Sequence, residues 1–182
     1  RKDVNAIWDL ASHDVSIFNY ILDSQPSEVT AKGGIYLQKR VEDVGFLSLT
    51  YPKNILVNIH VSWLDPGKVR QITLVGNKKM VLWDDLDNVG PLKIYDRKVT
   101  KEPYYDNFGD FQLLTKEGDI VIPKISLQEP IRAQNGHFLE VLKTRKRPMS
   151  DGIFGSHVVN ILEAIQHSLK RHGEPVKVKS KE

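Results

Sequence analysis

Alternation of apolar and polar residues predicts β-strands through the middle of this chain. The clearest case is segment 55–63, in which every second residue is apolar: Ile55, Val57, Ile59, Val61 and Trp63. Asn58, His60 and Ser62 fall on the other side of the same strand. One face of this strand is therefore expected to lie in a core and the other to be polar.

Short turn sequences join neighbouring strands into two predicted hairpins. Phe46–Tyr51 precedes the strand at 55–63, and Pro52-Lys53-Asn54 between them favours a tight antiparallel turn. A second hairpin is predicted from residues 71–75 and 79–83, turned at Gly76-Asn77. With the shorter candidates 28–31 and 92–95, we expect one sheet of at least four strands. The segment 100–118 is predicted to be a surface loop anchored by aromatic residues: Tyr104, Tyr105, Phe108 and Phe111.

Helical spacing of apolar residues appears at both ends of the chain. It covers one stretch near the start and two near the end: Val15, Phe18 and Leu22, then Phe138, Val141 and Leu142, then Val158, Leu162, Ile165 and Leu169. We expect these helices to cover one face of the sheet. Consecutive strands with helices gathered at the ends predict an α+β fold, a two-layer sandwich whose mostly antiparallel sheet is open on its other face.

Length and composition are those of one globular domain. The 182 residues are 40% hydrophobic and 27% charged, and no apolar run approaches the roughly 20 residues that cross a bilayer. We expect a domain over residues 1–173 and a charged tail, 174–182, that frays after Gly173. The absence of cysteine excludes disulfides and thiolate chemistry and suits the cytoplasm. Three tail lysines account for the net charge of +3, so nucleic acid is not an expected partner: Lys177, Lys179 and Lys181.

Asp9 and His13 are the candidate catalytic pair. A carboxylate four residues before an imidazole can share one face of a helix, fix the tautomer of the imidazole and leave its other nitrogen free for proton transfer. The alternative is that Ser12 caps a helix beginning at His13, with Asp14 in its first turn, so that the pair serves folding only. The sequence permits both helix boundaries.

A metal site is a weaker alternative for the same residues. Imidazole and carboxylate groups of Asp9, His13, Asp14 and His60 suit zinc or manganese, but no close histidine or cysteine spacing supports a metal site, and we predict none. The remaining histidines are expected to be packed or at the surface of helices: His137 and His157, then His167 and His172 at exposed positions.

The chain resembles the carboxyl-terminal domain of the glucose-fructose oxidoreductase, inositol dehydrogenase and rhizopine-catabolism (Gfo/Idh/MocA) family over nearly its whole length. Three stretches carry the resemblance: Trp8-Asp9-Leu10-Ala11-Ser12-His13-Asp14, the segment from His60 to Gly76, and Arg147-Pro148-Met149-Ser150-Asp151-Gly152. In that family an Asp-x-x-x-His element opens the second domain beside the nicotinamide.

The resemblance implies a dehydrogenase that uses NAD or NADP and oxidises a hydroxyl of a sugar or a nucleotide sugar. His13 would take the hydroxyl proton, and Asp9 would orient His13. The sequence has no Gly-x-Gly-x-x-Gly turn, and Lys101-Glu102-Pro103 has the wrong order for the Glu-Lys-Pro of the dinucleotide domain. With a start that lacks methionine, this implies the substrate-binding half of a longer enzyme, inactive alone.

The open face of the predicted sheet is the expected contact surface of a homo-oligomer. Its row of Asn58, His60 and Ser62 can meet a second copy as readily as water. A non-catalytic dimerisation domain of the same fold, in which Asp9 and His13 have no chemical role, is the alternative function.

Overall fold

The computed structural model describes residues 4–37, 39–96, 98–99, 115–116 and 118–179. The chain divides into two compact units, one from residues 1–66 with 136–182 and the other from residues 67–135. We call them the first and the second unit. The 174–182 segment predicted as a tail falls in the first unit.

The first unit begins with one continuous helix that contains Asp9. A π-helical segment, Ile7–Ala11, runs directly into α1, Ser12–Leu22. Asn5 Oδ1 accepts a hydrogen bond from the backbone N–H of Trp8 at 3.0 Å, which is the geometry of an amino-terminal cap. Ser12 has helical angles of φ −56° and ψ −37°, so the alternative in which Ser12 caps a helix beginning at His13 is wrong.

The first unit contains a four-stranded antiparallel sheet. Its strands, in chain order, are β1 Glu28–Gly34, β2 Val44–Tyr51, β3 Ile55–Ser62 and, at the end of the chain, β10 Val176–Lys177. They are ordered β10-β1-β2-β3. The predicted hairpin of β2 and β3 is confirmed, with Phe46 opposite His60 and a turn at Pro52–Asn54. Lys53 and Asn54 adopt the left-handed conformation, with φ of 61° and 58°.

The end of the chain is paired rather than frayed, so the expectation of a fraying tail after Gly173 is wrong as far as residue 178. Val176 pairs with Val29, and the N–H of Val178 donates to the carbonyl of Ser27 at 3.0 Å. Charge alone predicted fraying. The backbone at 176–178 instead completes the open edge of β1, which supplies the hydrogen bonds that hold it.

Two helices cover one face of this sheet, as predicted. Helix α3, Gly152–Lys170, packs on β1 and α1, and Asp151 Oδ1 caps it by accepting from Phe154 N–H at 2.8 Å. Most of the core between them is hydrophobic, with these buried members: Ile7, Val15, Val29, Leu49, Tyr51, Val57, Ile59, Val61, Ile161 and Ile165. The other face of the sheet exposes side chains that include Phe46, Leu56, Asn58 and His60.

Two apolar patterns did not predict burial. Helix α2, Pro130–Thr144, has no buried residue, and Phe138 and Leu142 are 61% and 47% exposed, so the expectation that it covers the sheet is wrong. Ile55, predicted to face the core, is 39% exposed because it is the first residue of β3. Periodicity shows that an element has an apolar side, but it does not show which surface that side meets.

The second predicted hairpin belongs to a separate sheet, which corrects the expectation of a single one. The second unit contains the antiparallel order β4-β5-β6-β9, with strands Gln71–Val75, Met80–Asp84, Leu92–Tyr95 and Ile120–Val121. Strands β7, Lys98–Val99, and β8, Thr115–Lys116, form a further short pair.

The N–H of Gly90 and the ammonium of Lys93 bind the carboxylate of Asp87 and lower its pKa to about 2, so this turn keeps an ionised acid.

Some predicted features fall outside the described residues. These are the aromatic residues of the 100–118 loop, the Lys101-Glu102-Pro103 element and Lys181: none is described. Within the described ranges, no helix combines the length and the apolar character that crossing a bilayer requires.

The buried hydroxyl of Ser168 supports a test of how the end of the chain is held. Ser168 Oγ accepts from the N–H of Ala31 at 2.9 Å and donates to the carbonyl of Glu174 at 2.7 Å, and the residue is fully buried. Ser168→Ala leaves both groups without a partner, so we expect the free energy of unfolding to fall by about 2 to 4 kcal/mol. Urea denaturation measures the change.

Ser156→Ala is the matched control, because Ser156 is exposed on the same helix and its hydroxyl donates to the carbonyl of Ile153 within that helix. We expect this variant to lose less than about 0.5 kcal/mol. Equal losses in the two variants would contradict a structural role for the buried hydroxyl.

Candidate functional site

His13 lies on the exposed side of α1. The buried side of the same helix carries Ala11, Val15 and Phe18. On the outer side, His13 begins a strip that continues at helical spacing with Ile17, Tyr20 and Ile21, which are 37%, 58% and 46% exposed. We call His13 and these three residues the His13 strip. The imidazole is thus accessible and has apolar neighbours on its own helix.

Asp9 lies one turn before His13 and is tied to the sheet. It is half-buried, and its Oδ2 accepts a hydrogen bond from the indole Nε1–H of Trp63 at 3.1 Å. Trp63 directly follows β3, so the end of a core strand holds the carboxylate in place. Asp9 lies within the π-helical segment. Short π-helical segments inside helices are often found at functional sites.

The position of Trp63 is in turn fixed by the buried residue Asp43. The backbone N–H of Trp63 donates to the carbonyl of Asp43 at 2.9 Å. Asp43 is fully buried, and its Oδ2 accepts from the N–H groups of Tyr36 and Leu37 at 2.6 and 2.7 Å. This carboxylate closes the loop between β1 and β2, because two charge-assisted bonds are directed at one oxygen.

The far end of α1 is held by a second polar contact. The hydroxyl of Tyr51 donates to Asn19 Oδ1 at 2.8 Å in the core. Burial raises the pKa of Tyr51 well above its usual range, so the phenol stays protonated and remains a donor. The helix that carries Asp9 and His13 is therefore fixed to the sheet at both ends.

A cleft of about 430 Å³ opens beside the start of the helix, and it is not lined by the predicted pair. Its polar lining comprises Asn5, Trp8, Arg40, Glu42 and Gln166. Neither Asp9 nor His13 is among its lining residues. Trp8 of the cleft directly precedes Asp9 in the sequence, but the cleft and the predicted pair share no residue.

The described residues do not assemble the metal site considered as an alternative. Over those residues, no group of three or more histidine, aspartate or glutamate side chains is placed to bind a metal ion. His60 instead stacks on Phe46 across β2 and β3, with ring centroids 4.5 Å apart. His137 accepts a hydrogen bond from the N–H of Met149, and His167 and His172 are exposed as predicted.

Three residues of this site were missed by sequence reasoning. Asn5, Asp43 and the indole nitrogen of Trp63 organise the start of the helix and orient Asp9. Trp63 was predicted only as a core residue of its strand. The one available signal was Asp43 directly before an apolar strand, because an aspartate in such a place is expected to bind backbone N–H groups.

Comparisons with known proteins agree with this architecture. No curated protein matches the sequence. Residues 2–82 match the GFO/IDH/MocA C-terminal domain. The UDP-N-acetylglucosamine 3-dehydrogenase GnnA from Acidithiobacillus ferrooxidans is similar in structure, with a TM-score of 0.72 and 18% sequence identity over 93% of this chain and 49% of that one.

Two further solved structures have the same fold. The aldose-aldose oxidoreductase from Caulobacter crescentus, complexed with glycerol, gives a TM-score of 0.71 at 18% identity over 96% of this chain and 48% of that one. The WlbA dehydrogenase from Bordetella pertussis, in complex with NADH and UDP-GlcNAcA, gives 0.67 at 18% identity, covering 98% and 46%. This chain spans about half the length of these proteins. Residues 2–82 are similar to the C-terminal domain of the GFO/IDH/MocA family, and the fold of the chain is the one that the sequence resemblance predicted.

Proposed function

We propose that this chain is the substrate-binding, proton-accepting half of a nicotinamide-dependent dehydrogenase, with His13 as the general base and Asp9 as its positioning residue. One observation carries the proposal: the Trp63 indole holds Asp9 on the helical turn directly before the accessible imidazole of His13. A carboxylate held in this way can orient a histidine one turn later.

In this reaction His13 accepts the proton of a substrate hydroxyl group. A nicotinamide, when bound, supplies the acceptor for the hydride that leaves the same carbon. The negative charge of Asp9 stabilises the imidazolium that forms on His13, which lowers the barrier to proton transfer. The proton then leaves to solvent, so that the base is restored.

The apolar strip beside His13 fits a site that a second domain closes. The exposed residues Ile17, Tyr20 and Ile21 present apolar surface next to the base. Covering this strip with a dinucleotide-binding domain would exclude water from His13 and strengthen its interaction with Asp9. The sequence has no Gly-x-Gly-x-x-Gly turn for a pyrophosphate. We propose that the other domain holds the cofactor phosphates and that this chain alone is inactive.

The substrate that we propose is a sugar or a nucleotide sugar. Structurally similar proteins include a UDP-N-acetylglucosamine 3-dehydrogenase and an aldose-aldose oxidoreductase. A third, the WlbA dehydrogenase, is in complex with NADH. Their names support a sugar hydroxyl as the reacting group, with NAD or NADP as cofactor. The same proposal assigns the enzyme to the cytoplasm, as the cysteine-free sequence predicts.

Replacement of His13 tests the catalytic role. In an enzyme that joins this chain to a dinucleotide-binding domain, we expect His13→Ala to lower kcat by about a hundredfold to ten-thousandfold, because a general base is lost. The initial rate of cofactor reduction measures the change. His167→Ala is the control, since His167 is also an exposed helical histidine, on α3. An unchanged rate in His13→Ala would favour the alternative function, a non-catalytic dimerisation domain.

We also propose that the open face of the first unit joins two copies of the chain. Phe46 and Leu56 on this face are 57% and 63% exposed, and the ring of His60 lies flat against Phe46. The register places small polar residues on the same face: Thr30, Ser48, Thr50 and Asn58. A face of small polar groups with two apolar anchors can pair with a second copy about a twofold axis.

A charge placed on this face tests the contact between copies. We expect the unaltered chain to sediment as an oligomer at micromolar concentration and Phe46→Glu to sediment as a monomer, because two like charges would be buried together. Leu139→Glu is the control, since Leu139 is 55% exposed on α2 and not on the sheet. Monomeric unaltered chain, or equal dissociation of both variants, would refute the contact.

A further inference from the structure

The cleft beside the start of the helix is built from groups that recognise a ligand. It is an open cleft of about 430 Å³, a volume within the range of small-molecule sites, and is lined by Asn5, Trp8, Arg40, Glu42 and Gln166 together with two valines. All of these residues lie in the first unit. The cleft plays no part in the chemistry proposed for Asp9 and His13, which do not line it.

A network of hydrogen bonds holds the walls of the cleft. Asn5 is only 7% exposed, and its Nδ2 donates to Glu42 Oε2 at 2.8 Å and to Gln166 Oε1 at 3.1 Å. The indole Nε1–H of Trp8 donates to the same oxygen of Gln166 at 3.3 Å. These bonds join the helix start, the β1–β2 loop and α3, so the side chains are held in place before any ligand arrives.

Two donor groups of this cleft have no partner among the described residues. The oxygen of Gln166 accepts the bonds from Asn5 and Trp8, and its Nε2 amide donates to no other described group. The guanidinium of Arg40 makes no hydrogen bond or ion pair with any described group. Arg40 itself has a φ of 69°, a conformation that an arginine adopts at a cost.

We infer that this cleft binds a polyhydroxylated ring that carries an anionic group. Arg40 and the amide of Gln166 are donors suited to the oxygens of a carboxylate or a phosphate. The carboxylate of Glu42 accepts from hydroxyl groups, and the indole of Trp8 offers a flat apolar surface to the ring. A sugar acid and a sugar phosphate share this chemistry, and neither a neutral sugar nor a simple anion uses all four groups.

The inference does not depend on the proposed dehydrogenase, because the cleft and the Asp9–His13 pair share no residue. Binding at the cleft and loss of activity in His13→Ala are therefore separate outcomes. A failed test of either one leaves the other standing.

Titration of the chain with small probes tests the cleft. We expect glucuronate and glucose 6-phosphate each to shift the indole N–H resonance of Trp8 saturably, with the signals of Trp63 and Trp83 as internal references. The stronger of the two identifies the anion as carboxylate or phosphate. Glucose and inorganic phosphate at equal concentration should cause a smaller shift, since each meets only part of the lining.

Variants of the two unpartnered donors complete the test. Arg40→Gln should weaken binding of the better probe by at least about tenfold. Gln166→Glu keeps the oxygen that Asn5 and Trp8 bind but replaces the amide by a negative charge, and it should abolish binding. Arg145→Gln is the matched control, because Arg145 is also exposed and has a φ of 55° but lies outside the cleft. No saturable shift with either probe, or equal weakening in Arg40→Gln and Arg145→Gln, would overturn the inference.

Discussion

The hydrogen bond from the Trp63 indole to Asp9 connects the sheet to the turn of helix that precedes His13. Trp63 is fixed because its backbone binds the carbonyl of Asp43, and Asp43 is fixed because its buried carboxylate closes the β1–β2 loop. Rotation of this helical turn would break the indole contact. The proposed chemistry of His13 therefore relies on an acid that the sheet, and not the helix alone, holds in place.

Polar contacts set the position of the helix, whereas apolar burial supplies the stability. The layer between α1, α3 and the sheet is filled mainly by aliphatic residues. Within this layer, Tyr51 and Asn19 form a polar pair. A buried hydrogen bond adds little net stability, but it penalises any arrangement that leaves its groups unpaired. Such bonds select one orientation of α1 among several that would bury the same apolar surface. Both the cleft and the His13 strip depend on that selection.

Local patterns in the sequence were enough to predict the strands β2 and β3 and the packing of α1 and α3 on one face of their sheet. The alternation at Val57, Ile59 and Val61 correctly marked the buried face of β3, and the helical spacing around Leu162 and Ile165 marked the buried side of α3. These signals are local because each strand or helix shows its own period. The resemblance to the Gfo/Idh/MocA family then led to the correct fold.

Contacts between distant residues were beyond the reach of those patterns. Trp63 and Asp9 are 54 positions apart, and nothing in the local sequence pairs them. The separate second sheet, the exposure of α2 and the pairing of Val176 with Val29 also arise from tertiary structure. Helix boundaries were ambiguous for a related reason: Ser12 is a good capping residue, but Asn5 caps the helix earlier because its side chain is buried among partners.

The indole N–H resonance of Trp63 in an Asp9→Ala variant is the most direct test of this account. We predict that removal of the Asp9 carboxylate moves this resonance and speeds its exchange with solvent by at least about tenfold, because the proton loses its acceptor. Asp14→Ala, at a neighbouring acid of the same helix, and the indole of Trp83 serve as references that should not change. A Trp63 resonance that is the same with and without Asp9 would contradict the claim that the sheet positions the acid beside His13.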